Sequence, residues 1–245
     1  MNGHAECLKT SDTRSRILHH ALAVFAEKGF QKSTVAEICK AADANIAAVN
    51  YHFQGKANLY AEVLKYAYQE TQTAFPSHGN ISETAPPEHR LECFVRAMIL
   101  RAFCPQSAGA FPRFLVHEMT HPTPLMDTVM HDLIHNEINI LKTILKPLLP
   151  DDIPDERRRF FGINIMAMVM YFSFNRPARE KVMSGKTIST RQVAKLIRHM
   201  TLFILFALKS AELPLDVSIP GLPAFSGEAS DDPAIASCDR TERSV

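Results

Sequence analysis

Thr34 stands three residues ahead of Glu37, and Asn45 stands directly ahead of a short apolar run at 46–52. Each is a helix start. A threonine oxygen can accept the N–H of the third helical residue while a glutamate there reaches back to the cap, so two orphan donors are satisfied together. Asparagine caps a helix by the same means. Two starts this close leave room only for a short helix ending near Ala42, a turn at Asp43-Ala44, and a second short helix. Ala36, Ala41 and Ala42 are small enough for the two to cross closely, and Val35, Ile38, Val49 and Phe53 supply the internal contacts. Helix, tight turn, helix is the helix-turn-helix arrangement.

The rest of the chain has helical periodicity. Ile17, Leu18, Ala21, Leu22, Val24 and Phe25 predict a first helix over 12–29, stopped by Gly29. Gln54-Gly55 breaks the third helix, and a fourth runs over 56–73 with Leu59, Val63, Leu64 and Tyr66 inward. A loop rich in Pro, Ser, Gly and Thr fills 74–88. Further helices are predicted over 88–104, 111–119, 125–148, 155–174 and 190–211, and the tail from Pro214 has the composition of a disordered segment. No stretch alternates with period two, and only 9 glycines occur among 245 residues, so no sheet is expected. The fold class is all-α: an N-terminal helix-turn-helix three-helix unit plus a C-terminal helical bundle, whose ligand-binding and dimerisation roles are expectations from the resemblance and the apolar helices described below. The expected divisions are 11–71, 88–212 and a tail at 213–245.

A formal charge of +1 excludes binding to polyanions by bulk charge. Local clustering is modest: between 11 and 60, Arg14, Arg16, Lys28, Lys32, Lys40 and Lys56 face Asp12, Glu27, Glu37 and Asp43. The outward residues of the helix-turn-helix say more. A helix entering a major groove needs slim side chains and a few hydrogen-bonding ones. Asn45, Ile46, Ala47, Ala48, Asn50, Tyr51 and His52 are available for the outside. Ala47 and Ala48 can meet a thymine methyl, and Asn50 can pair with adenine. Tyr51, His52 and Lys56 suit phosphate, as does Thr34 at a helix N-terminus. A helical hairpin with a solvated face is the plainer alternative.

These residues also carry a resemblance. TRSRILHHALAVFAEKGFQKSTVAEICKAADANIAAVNYHFQGKANLYAEVL resembles the DNA-binding domain of the TetR family of repressors over residues 12–70. NIAAVNYHF and FPRFLVHEMTHPTPLMDTV are similar to its CecR branch. The resemblance implies DNA contact at Thr34, Asn45, Ile46, Ala47, Ala48, Asn50, Tyr51, His52 and Lys56. It also implies that the last two long helices pair across a twofold axis. The family usually has glycine in the turn where this chain has Asp43, a residue that tolerates a left-handed backbone better than most.

Independently of the resemblance, helices at 160–174 and 193–208 are too apolar to face water, and a homodimer interface accounts for them. Central core helices are the alternative. Phe94, Met98, Phe111, Phe114, Met119, Met166 and Met170 can line an apolar cavity, with His117 and Glu118 beside it. His117-Glu118-Met119-Thr120-His121 matches the H-E-x-x-H signature of zinc proteases. That chemistry needs both histidines on one face of a continuous helix, and Pro122 and Pro124 end the helix at once. His131 and His135, also four apart, leave a metal-responsive regulator as a milder alternative.

The five cysteines contain no C-x-x-C, so reduced thiols are expected; Cys93 and Cys104 lie about 16 Å apart on a helix, too far to bridge. No uncharged apolar run of about 18 residues occurs and the first residues do not read as a signal peptide, so a cytoplasmic protein is expected. The sequence therefore predicts a transcription regulator and not an enzyme. Its partners are a palindromic operator in double-stranded DNA, a small-molecule effector and a second copy of the chain. No membrane, cofactor or metal enters this reading.

Overall fold

The computed structural model describes residues 3–104, 107–125, 131–174 and 188–212. The expected tail at 213–245 lies outside them. Nine α-helices and no strand occur among the described residues: α1 Gly3–Lys32, α2 Val35–Ala41, α3 Ile46–Phe53, α4 Lys56–Ala74, α5 Pro87–Phe103, α6 Ala110–Thr120, α7 His131–Leu145, α8 Asp155–Phe174 and α9 Thr190–Lys209. None of the described helices is long and apolar enough to cross a membrane.

Helical backbone geometry stops at Gly29, as expected. Its backbone, at φ 71 and ψ −179, kinks the helix, and helical turns resume as far as Lys32. Glycine is required there twice over. The left-handed region is cheap only for glycine, and a Cβ would come within 3.0 Å of the His117 ring. Of the predicted helix over 125–148, residues 126–130 lie outside the described residues. Leu125 lies in a turn behind the two prolines, α7 is described from His131, and its last turn tightens to 3₁₀ over Lys146–Leu148.

Two cores form. The first packs α1–α4 around Ile17, Phe25, Ile38, Val49, Phe53, Leu59 and Leu64. Tyr66, expected inward, is only half-buried. This core is not closed by the N-terminal helices alone: α6 adds Ala110, Phe111, Phe114 and Leu115 to it. Tyr60 is the centre of an aromatic group, with ring centroids 4.8 Å from Phe25, 5.2 Å from Phe30 and 5.6 Å from Phe114. The second core is built from α5, α7, α8 and α9 around Leu91, Phe94, Ile99, Leu141, Ile165, Val169, Ile197 and Ile204. Met170 packs against both cores, so α8 touches each.

The cysteines whose surroundings are described, Cys39, Cys93 and Cys104, are free thiols. Burial pushes the thiols of Cys39 and Cys93 up from the ordinary range.

Candidate nucleic-acid interface and effector cavity

Local chemistry sets the helix-turn-helix. Thr34 Oγ1 accepts the Glu37 N–H at 3.2 Å, starting α2. The reciprocal half of the capping box does not form, because the Glu37 carboxylate pairs with Lys28 on α1. Asn45 Oδ1 accepts the Ala48 N–H at 2.8 Å, starting α3. Between them Asp43 adopts φ 47, the left-handed turn that glycine would take more cheaply. Arg16 of α1 holds this turn: its Nε donates to the Ala42 carbonyl at 3.2 Å and its Nη2 to the Asp43 carbonyl at 3.0 Å. Gln54, at φ 60, ends α3.

The surface of α3 follows from this anchoring. Val49 and Phe53 are buried, while Asn45, Ile46, Ala47, Asn50 and Tyr51 are exposed. Tyr51 is 78% exposed, its ring edge-on to that of His52 at 4.9 Å. Ala48 and His52 are half-buried, and Ala48 packs against the first core. Thr34 is exposed at the start of α2. Lys56 is more constrained than the sequence suggests. Its ammonium donates to the Phe30 carbonyl and lies 4.4 Å from the centre of the Phe30 ring, and partial burial lowers its pKa. Of the nine residues, Thr34, Asn45, Ile46, Ala47, Asn50 and Tyr51 are open to solvent, Ala48 and His52 are half-buried, and Lys56 is tied to Phe30.

A cavity of about 50 Å³ lies between α5, α6, α7 and α8, where the two cores meet. Met98, Met166 and Met170 line it, with Phe111, Pro112 and Leu115 of α6. Phe94 and Phe114 do not reach it; both are fully buried, in the second and first cores respectively. Met119, 59% exposed near the end of α6, does not line it either.

His117 and Glu118 also lie away from the cavity wall, facing α1 and α4. His117 Nε2 is 3.3 Å from the Ala26 carbonyl. Glu118 is fully buried and accepts three hydrogen bonds: from Tyr60 Oη at 2.8 Å, Thr123 N at 3.0 Å and Thr123 Oγ1 at 2.9 Å. Burial first, and then the Glu118 carboxylate, hold the Tyr60 hydroxyl well above the usual tyrosine range. His121 is the exposed, non-helical cap of α6, so His117, Glu118 and His121 diverge and do not form the protease geometry. Exposed His131 and His135 stack on α7 with ring centroids 4.0 Å apart. No group of three or more His, Cys, Asp or Glu able to hold a metal occurs among the described residues.

The polar part of the cavity wall is Arg101 and Glu137, joined at 3.1 Å and almost fully buried. The sequence reading missed both. Their signal was present in the pattern: Arg101 follows Leu91, Phe94 and Met98 on the buried stripe of α5, and Glu137 sits between Ile134 and Leu141 on that of α7. A charge in an apolar stripe calls for a partner.

A second feature lies on the outer face of α8 and α9. Ile163, Tyr171, Leu202, Phe203 and Phe206 are exposed, Phe206 at 79%. A broad, shallow apolar depression between Ala167, Met168, Tyr171, Leu196, His199 and Phe203 continues the same face.

A capped helix-turn-helix on an N-terminal helical unit, joined through α6 to a larger helical domain with its own cavity, defines the class. Residues 17–63 match the family described as bacterial regulatory proteins of the tetR family. Residues 87–208 match the C-terminal domain of the HTH-type transcriptional dual regulator CecR. The chain belongs to the TetR family and resembles CecR within it. It is 27% identical over 126 residues to the probable HTH-type transcriptional regulator YttP of Bacillus subtilis, a match covering 51% of this chain and 59% of that protein. It is 26% identical over 147 residues to CecR of Shigella flexneri, covering 56% and 63%. The matches thus span less than two thirds of these relatives' lengths. Among solved structures, AibR in complex with isovaleryl coenzyme A and operator DNA is similar in fold, with a TM-score of 0.60 at 16% identity over 78% of this chain and 97% of that one.

Proposed function

We propose that the chain is a homodimeric DNA-binding repressor, without enzymatic activity, that leaves a palindromic operator when a small molecule occupies the cavity between α5, α6, α7 and α8. The observation that carries this reading is the exposed face of α3. Asn45, Ala47, Asn50 and Tyr51 project from a helix whose start is capped and whose preceding turn is pinned by Arg16. A rigidly held helix bearing slim and amide side chains suits a major groove, with Asn50 on a base edge and Thr34, Tyr51, His52 and Lys56 toward phosphate. Residues 11–71 are then the DNA-binding unit and 88–212 the sensing and dimerising unit.

The apolar face of α8 and α9 supports self-association, since Ile163, Tyr171, Leu202, Phe203 and Phe206 exposed together on two helices are costly in water. A twofold dimer would present two copies of α3 to successive major grooves.

α6 offers a route from cavity to DNA. Phe111, Pro112 and Leu115 of α6 line the cavity, and His117 and Glu118 further along the same helix bond to α1 and α4. An occupant that moves α6 would reorient the helix-turn-helix, with leverage limited to its affinity difference between the two arrangements. The relative AibR was crystallised with both operator DNA and an acyl-coenzyme A, which supports a two-site reading of this fold.

A mobility-shift assay on DNA upstream of the chain's own gene, at moderate salt, tests the proposal. A sequence-selective shift that Asn50→Ala abolishes is expected. A folded dimer that shifts all duplexes equally would contradict it.

A further inference from the structure

The chemistry of the cavity wall bears on what the cavity takes, given that it is the effector site. Arg101 and Glu137 are its charged lining, and their charges cancel. Neither has an unengaged hydrogen-bonding atom. Arg101 Nε donates to the Phe75 carbonyl at 3.0 Å, Nη1 to Glu137 Oε1 at 3.1 Å, and Nη2 to Gln72 Oε1 at 3.0 Å and Ser77 Oγ at 2.8 Å. Glu137 Oε1 also accepts from Gln72, and Oε2 accepts from Ser77 at 2.5 Å. No buried side-chain nitrogen or oxygen among the described residues lacks a partner. The remaining wall is apolar, and three of its residues are methionines.

From this we infer that the cavity selects an uncharged, compact, mainly apolar effector and rejects the anionic and cationic forms of the same framework. An anion would have to displace Glu137 from Arg101, leaving a buried carboxylate without its counter-charge. A cation would have to displace Arg101 in the same way. Either exchange breaks a buried ion pair and strands one member, which is the costly way to disturb it. A neutral molecule faces no such exchange. The present volume of about 50 Å³ is small for such a guest. Enlargement falls first to Met166 and Met170, whose unbranched side chains repack readily, and then to Met98, whose Sδ accepts from Arg101 Nη1 at 3.6 Å. Enlarging the cavity also presses on Arg101, and through it on Gln72, Phe75 and Ser77 around the end of α4.

The test uses three probes with one framework: benzyl alcohol, benzoate and benzylamine, at neutral pH. The full chain, labelled at its methionine methyl carbons, is titrated with each without DNA, so the outcome is independent of whether the chain binds an operator. The Met98, Met166 and Met170 signals are assigned by single Met→Leu changes. Benzyl alcohol should move those three signals saturably, and the two ions should bind at least about tenfold more weakly. Equal or stronger binding of either ion, or no movement with any probe, would overturn the inference. Glu137→Gln gives a second arm. It keeps the side-chain size and leaves Arg101 positive, so a folded variant should now prefer benzoate over benzyl alcohol. A folded variant that retains the original order also overturns the inference. If the variant does not fold, the three titrations of the unaltered chain still decide.

Discussion

Tyr60 on α4 donates its hydroxyl to the Glu118 carboxylate on α6 at 2.8 Å, with both side chains fully buried. This bond ties the last helix of the N-terminal unit to the helix that borders the cavity. It also explains why a glutamate is tolerated without a cation: three donors, from Tyr60 and Thr123, take the place of solvent.

Tyr60→Phe removes one of those donors and leaves the ring contacts intact. We expect a loss of about 1–3 kcal/mol, read from urea unfolding. The variant should also differ from the parent in alkali. Tyr60 ionises less readily folded than unfolded, so its contribution is complete below the ordinary tyrosine value of 10.0 and is lost as pH rises above it. Stability curves should therefore fall less steeply in that alkaline range for Tyr60→Phe. Parallel curves would contradict the burial of this hydroxyl.

Asp43 sits at φ 47 and contributes its backbone carbonyl to Arg16. Asp43→Gly relieves the left-handed strain and keeps that bond. A gain of about 1 kcal/mol or less in chemical denaturation is expected, with α3 unchanged. A loss of stability would mean that the carboxylate has a role of its own.

How much of this the sequence disclosed depends on the range of each interaction. Thr34, Asn45, Gln54 and Gly55 act on neighbours a few residues away, and their effect on helix ends was legible. Glu37 has the spacing of a capping box, but the partner it takes instead, Lys28, belongs to a different helix. Residue type alone suggests Phe94, Phe114, His117 and Glu118 for a cavity wall, but helix packing turns Phe94 and Phe114 into the two cores and His117 and Glu118 onto α1 and α4. Arg101 and Glu137 are 36 residues apart, and only their places in apolar stripes hinted at a pair. The role of α6 in the first core depends on tertiary contact that no local pattern carries.

Phe206 is 79% exposed on α9 in the face proposed for self-association. Phe206→Glu places a charge there without touching either core. The circular dichroism spectrum should stay helical while sedimentation shifts from dimer to monomer. A variant that remains a dimer would assign the interface to another surface.

Selection from a library of random duplexes tests the central claim most directly. The account predicts enrichment of a palindrome whose half-sites are about one helical turn apart, and at least about tenfold weaker binding of that palindrome by Asn50→Ala. A folded dimer that enriches no sequence, or an Asn50→Ala variant that binds the selected palindrome as tightly as the parent, would contradict it.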